Sequence, residues 1–275
     1  MTVANRLERI FDRAPRAPKA LVAYLCVGDP SVEESIDLGI ACVRAGAQVL
    51  ELGVPFSDPT ADGPAIARAS QRAIARGGGL SATLRAARAI RAAEPRVGIV
   101  LFGYYNPIFV LGEARAVGEA AEAGVDALLV VDLPPEESGS LRAAANAAHV
   151  GVVPLLAPTS RPERVAAVAA AAKTSLTPFI YYVSVTGVTG SAALVADEAG
   201  ARAAHLQETT GRPVVIGFGI DSRAKARAAA KHAAGVVVGT ALVRTIEEGK
   251  TPAERRSAVE SLVRDLRAGV DEASA

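Results

Sequence analysis

Two acidic residues fall where core packing alone would not put them. In Gln48-Val49-Leu50-Glu51-Leu52 a carboxyl group interrupts an apolar segment of strand length. An ionised carboxylate buried there is costly unless it is paired or protonated. Glu51 is therefore expected to have a raised pKa, which suits a group that gives and takes a proton near neutral pH. A Glu bonded structurally to a polar neighbour accounts for the residue equally well. Asp62 follows on the loop Gly53-Val54-Pro55-Phe56-Ser57-Asp58-Pro59-Thr60-Ala61-Asp62-Gly63-Pro64, whose prolines and glycines can fold it back over the strand mouth. Taken alone it reads as an Asp-Gly turn residue, and Asp58 before Pro59 reads the same way with no catalytic role.

Glycines carry the second chemistry. Gly217-Phe218-Gly219-Ile220 closes one apolar run, and Gly239-Thr240 closes the next directly before a short helix, 241–247. Glycine permits close backbone approach, and a helix N-terminus offers oriented N–H groups, so the two turns together read as a phosphate site; plain turn glycines are the simpler account. Thr186-Gly187-Val188-Thr189-Gly190 suits a phosphate lid or an inert flexible loop alike. There is no apolar-strand Lys for a Schiff base, no carboxylate cluster for a metal and no GxGxxG. The residues thus point to cofactor-free acid–base chemistry on a phosphorylated substrate.

These groups need a scaffold, and one rhythm repeats along the chain. Eight apolar runs, 20–26, 48–52, 97–102, 127–131, 151–156, 179–183, 213–216 and 235–238, are apolar on successive residues, as strands covered on both faces are. Helical segments fill the gaps at about 32–45, 64–76, 81–93, 113–123, 136–147, 161–172, 195–209, 222–232 and 252–268. Asp29-Pro30-Ser31 and Asp221-Ser222 are cap signals, Gly46 is a stop, and Pro162 suits a first turn. Residues 3–13 read as an extra helix with Leu7, Ile10 and Phe11 on one face, able to close the bottom of a barrel. The tail after Gly269 is expected to fray. Strict alternation implies a parallel sheet. Eight units favour a single-domain α/β fold over 1–275, a (β/α)8 TIM barrel with an extra N-terminal helix. A doubly wound open sheet is the alternative, since alternation does not report closure.

Composition removes other classes. Of 275 residues 30 are Lys or Arg and 29 Asp or Glu, a formal net charge of +1, without the basic excess of a nucleic-acid binder. Aromatics are 4% with no Trp, which weakens base stacking. Cys26 and Cys42 lack CxxC spacing and read as buried reduced thiols, and the three histidines lack metal-ligand spacing. The charged N-terminus is no secretory signal, and no apolar stretch reaches the roughly 20 residues of a membrane span, so a soluble cytoplasmic protein is expected.

Together these motifs resemble the tryptophan synthase alpha chain family. The resemblance rests on the segment from Leu50 to Pro64, and on Gly28-Asp29-Pro30, Tyr104-Tyr105-Asn106-Pro107, Val131-Asp132-Leu133-Pro134, Tyr181-Tyr182-Val183-Ser184, the Thr-Gly loop and Gly217-Phe218-Gly219-Ile220. It implies a barrel lyase that cleaves indole-3-glycerol phosphate to indole and glyceraldehyde 3-phosphate in L-tryptophan biosynthesis. On matching positions Glu51 and Asp62 correspond to the catalytic acids and Tyr181 to an auxiliary tyrosine. Gly190, Gly219, Gly239 and Thr240 correspond to the phosphate-binding turns, and Tyr24, Leu129 and Phe218 to the indole pocket. Cys26 stands where Thr is common, and Val185 replaces an Arg of some members. The resemblance further implies a tryptophan synthase beta chain as partner in an alpha2-beta2 tetramer. Pyridoxal phosphate belongs to that partner, with no cofactor here, and the rim loops including 55–59 form the docking surface. A stand-alone indole-releasing lyase, a silent phosphate-binding activator subunit and another phosphosugar barrel enzyme are the competing readings.

Overall fold

The computed structural model describes residues 5–11, 18–183, 192–217 and 219–273, with 192–198 described by their backbone alone. Among them the strands are β1 (Ala20–Cys26), β2 (Val49–Gly53), β3 (Gly98–Gly103), β4 (Ala127–Val130), β5 (Gly151–Val152), β6 (Leu155–Leu156), β7 (Ile180–Val183), β8 (Val214–Gly217) and β9 (Gly235–Val238). All pair in parallel, in the order β5-β4-β3-β2-β1-β9-β8-β7-β6.

The two ends of that order are one stretch of chain. The fifth apolar run, expected as a single strand, divides at Val153-Pro154: β5 pairs with β4, and β6 pairs with β7. Pro154 has no N–H to continue the ladder. Its carbonyl still accepts from Tyr181 N at 3.0 Å, while Val153 N donates to Leu128 O at 2.8 Å. One run thus bonds to both neighbours and closes the sheet on itself, which selects the barrel over the open sheet.

Both strand faces are apolar because both are covered. Val22, Val49, Val100, Leu129, Val153, Val215 and Val237 fill the barrel interior, and Leu21, Leu50, Ile99 and Leu128, each shifted by one residue, pack outward.

The helices are α1 (Arg6–Ile10), α2 (Val32–Ala45), α3 (Pro64–Ala75), α4 (Leu80–Ala93), α5 (Tyr105–Leu111), α6 (Glu113–Glu122), α7 (Gly139–Ala147), α8 (Pro162–Thr174), α9 (Ala192–Thr210), α10 (Arg223–Ala230), α11 (Thr240–Glu248) and α12 (Pro252–Glu272). Ser31 caps α2 by accepting from Glu34 N at 3.1 Å, Gly46 ends it at φ 123°, and Pro162 opens α8. Ser222 takes the N-cap position of α10 without a side-chain bond.

Two differences from the sequence reading have clear causes. α5 is an added helix: Pro107 lies in its first turn, where the missing N–H would have had no partner anyway. α12 runs past Gly269 to Glu272, with Val270 fully buried. Gly269 serves close packing there, since an added Cβ would run into the Arg223 carbonyl of α10.

α1 closes the barrel bottom. Leu7 and Phe11 enter the interior, and Gly98 leaves room for Leu7: an added Cβ would lie 2.5 Å from Leu7 Cδ2. Asp126 anchors this end, accepting from Arg6 at 3.0 Å, Arg91 at 2.7 Å and Ile99 N at 2.8 Å. Asp126→Ala leaves the mostly buried Arg91 guanidinium without its counter-charge, held by the carbonyls of Gly124, Pro95 and Val97, and the buried Ile99 N–H without its acceptor. A loss of about 3–5 kcal/mol is expected, read as a lower urea midpoint at unchanged slope.

Candidate active site

Glu51 lies mid-strand on β2, in register with Tyr24 of β1 and Val100 of β3, and its side chain is turned into the barrel. It is 1% exposed, and its Oε1 has no hydrogen-bond partner. Burial pushes its pKa up to about 8, so it holds a proton at neutral pH.

Asp62 reaches the same mouth from the β2–α3 loop. Asp62 N donates to Pro59 O at 3.0 Å, and Oδ2 accepts from the Tyr104 hydroxyl at 3.0 Å. That hydroxyl accepts in turn from Ala61 N at 3.0 Å. Tyr104 stacks on Phe56 with ring centroids 5.0 Å apart, and Phe56 N donates to Ser70 Oγ on α3 at 2.9 Å. The loop is therefore fixed at both shoulders. Partial burial raises the Asp62 pKa, against a lowering by the Tyr104 bond. Tyr104 has no role in the sequence reading beyond its motif; only the fold brings it beside a residue 42 positions away.

Tyr181 projects from β7 over Gly217 of β8. A Cβ on Gly217 would meet the phenol oxygen and stand 2.7 Å from a ring carbon. Tyr24 and Tyr181 each interact electrostatically with both Glu51 and Asp62, so the two acids and two phenols form one cluster.

A cavity of about 850 Å³ opens above the cluster, lined among others by Asp62, Phe102, Tyr181, Gly219, Gly239 and Thr240. Glu51, Tyr24 and Leu129 stand behind this wall, none more than 5% exposed. Leu129 packs in the barrel core. Phe102, Val131 and Leu155 line the cavity although the sequence did not single them out. Their signal was position, as inward-facing residues near the ends of apolar runs. Gly190 and Phe218 lie outside the described residues.

The far side of the cavity is built from backbone. Gly219 has φ +43°, and the space a Cβ would occupy there is empty within 4 Å. At Gly239 the nearest atom to an added Cβ is 3.8 Å away. Gly239 precedes α11, whose first-turn N–H groups have no partner within the helix. The result is an open cradle of amides and a helix dipole suited to an anion. A charged network ties its frame together: Arg72 of α3 donates to Asp29, after β1, at 2.9 and 2.7 Å, and to Glu247 of α11 at 2.7 Å.

Cys26 and Cys42 are buried free thiols, both pushed up to about 12 by burial. Among the described residues no three His, Cys, Asp or Glu side chains are grouped to hold a metal ion, and no helix is long and apolar enough to cross a membrane.

A closed (β/α)8 barrel with a buried acid at its mouth and an amide cradle across the opening defines an α/β-barrel enzyme built for a phosphorylated substrate. Residues 12–271 match the family model for the tryptophan synthase alpha chain. The tryptophan synthase alpha chain of Xanthomonas axonopodis pv. citri (strain 306) is 43% identical over 255 residues, 92% of this chain and 94% of that one. That of Xanthomonas oryzae pv. oryzae (strain MAFF 311018) is 43% identical over 256 residues, 93% of this chain and 94% of that one. Among solved structures, tryptophan synthase subunit alpha from Legionella pneumophila str. Paris superposes with a TM-score of 0.88 at 32% identity, covering 98% of this chain and 99% of that one. Tryptophan synthase from M. tuberculosis in an open form gives 0.84 at 34% identity, covering 98% and 100%. The chain belongs to the tryptophan synthase alpha chain family, and is a lyase that cleaves indole-3-glycerol phosphate in tryptophan biosynthesis.

Proposed function

We propose that Glu51 and Asp62 divide the acid–base work of this cleavage, with the substrate phosphate held at Gly190, Gly219, Gly239 and Thr240. The observation that carries the proposal is the unlike state of two acids in one cluster: Glu51 buried with an orphan oxygen, Asp62 half-buried and hydrogen-bonded. Unlike environments give unlike protonation states, as a division between acid and acceptor requires.

The reaction is a retro-aldol cleavage. Glu51 gives its proton to indole C3, which becomes tetrahedral. Asp62, ionised, accepts a hydrogen bond from the ring N–H and stabilises the positive charge that develops there. As the bond from C3 to the glycerol carbon breaks, its electrons restore the indole ring. The glycerol hydroxyl becomes the aldehyde and returns a proton to Glu51. Tyr181 borders the reacting bond, Phe102 lines the ring's cavity with Tyr24 and Leu129 packed behind that wall, and Phe218 is assigned to the same pocket. The phosphate grip supplies orientation.

The chain acts as one domain over 1–275 in the cytoplasm, without a cofactor of its own, and passes indole to a tryptophan synthase beta chain carrying pyridoxal phosphate in an alpha2-beta2 tetramer. The docking surface is the catalytic rim, 55–59 together with α5, where Phe109 is 65% and Val110 77% exposed. Such apolar exposure on an ordered rim helix favours a covered state. The test is cleavage of indole-3-glycerol phosphate by the chain alone and with the beta chain, alongside size-exclusion of the mixture at micromolar concentration. Turnover by the isolated chain, raised by the partner, is expected; none in either state overturns the reading. Val110→Asp is expected to weaken association roughly tenfold or more with isolated turnover unchanged.

A further inference from the structure

Once Glu51 has given up its proton, a carboxylate remains in a site that offers its Oε1 no hydrogen bond. A buried anion without a donor would erase much of the gain from proton transfer. The groups in its cluster are Tyr24 from β1, Tyr181 from β7 and Asp62 from the loop after β2, with Cys26 and Tyr104 also interacting with Tyr24. Asp62 is an acceptor, and the substrate's glycerol hydroxyl is consumed as it returns its proton, so the standing protein donor is one of the two phenols.

Placement separates them. The Tyr181 hydroxyl is carried over Gly217, on β8. The Tyr24 hydroxyl is carried over Gly53, on the strand that holds Glu51 and two residues further along its inward face. Tyr24 and Glu51 are also direct register partners. The missing Cβ at Gly53 is what allows this, since a Cβ there would meet the phenol oxygen, with ring carbons 2.7 Å away. Phe102 holds the other face of the site in a T-shaped contact, ring centroids 5.3 Å apart. Among the described residues the Tyr24 hydroxyl makes no hydrogen bond.

We infer that Tyr24 is a positioning residue whose hydroxyl donates to the Glu51 carboxylate formed on proton transfer, a role beyond that of an indole-pocket wall. This rests on the assignment of Glu51 as the proton donor. Tyr24 keeps its own proton throughout; Glu51 passes one to indole C3 and recovers one from the glycerol hydroxyl.

The test is Tyr24→Phe in the full chain, which keeps the ring and its contact with Phe102. A hydrogen bond to a charged group lost on one side of the step lowers kcat roughly tenfold. The alkaline limb of kcat/KM moves up by about one pH unit, because the anion has lost its donor. KM and binding of a non-cleavable phosphorylated indole analogue stay within about twofold, as for an interaction made after the ground state. Incorporating 3-fluorotyrosine at 24, a stronger donor of similar shape, moves the limb down and so keeps the inference testable if Tyr24→Phe folds poorly. An unmoved limb in either protein overturns the inference. Glu51→Gln, run alongside, separates the failures: if it is inactive while the Tyr24 variants are silent, only the Tyr24 role falls. Full activity in Glu51→Gln overturns both.

Discussion

Glu51→Gln is expected to lose cleavage by about 10²–10⁴-fold, the usual worth of a positioned general acid–base, while still binding a phosphorylated indole analogue. The amide has the shape of the acid and cannot give up a proton. The same substitution should have an opposite effect on stability. The unfolded chain ionises Glu51 near its ordinary value of 4.5, whereas the folded chain holds the proton to about 8. The folded state binds more protons across that window, so stability falls as pH rises through it and is fully present only below 4.5. The cost at pH 7 is about 3 kcal/mol. Urea melts at pH 5 and pH 8 should therefore show the native chain losing stability relative to Glu51→Gln as pH rises. Equal pH dependence in the two proteins would contradict a buried, protonated Glu51, and undiminished turnover would remove it from the mechanism.

Asp62→Asn is expected to lower kcat by roughly 10²-fold with KM little changed. The Asn carbonyl can still accept from Tyr104, so the loop keeps its shape. The anion proposed to stabilise charge on the indole nitrogen is lost. The proposed mechanism uses Asp62 ionised and Glu51 protonated, which predicts a bell-shaped pH profile. Its alkaline limb lies near 8. Its acid limb lies above the ordinary aspartate value, because burial outweighs the Tyr104 bond. Asp62→Asn should lose the acid limb and keep the alkaline one. A variant whose acid limb is unmoved would assign that limb to another group.

Much of this candidate site is legible in the sequence. A carboxyl inside an apolar strand run has few physical explanations, and Glu51 had to be either paired or protonated. Asp62 was legible only as half of a constellation, because an Asp-Gly turn is commonplace. Helix α5 was not legible, since its seven residues show no apolar period and its exposed Phe109 and Val110 face away from the core. Gly269 misled because glycine as a helix stop and glycine as a close-packing point look identical in one dimension.

The chain by itself determined the alternation of strand and helix, the burial of both strand faces and the presence of an acid among aliphatics, because these depend on composition and short-range period. Closure was decided only in three dimensions. It rests on Pro154 dividing one run so that each half bonds a different neighbour, which no local pattern encodes. The tertiary structure likewise chose the company of Glu51. Tyr24, Asp62 and Tyr181 come from separate strands and a loop, and only the closed barrel brings them together around an acid that burial keeps neutral at rest.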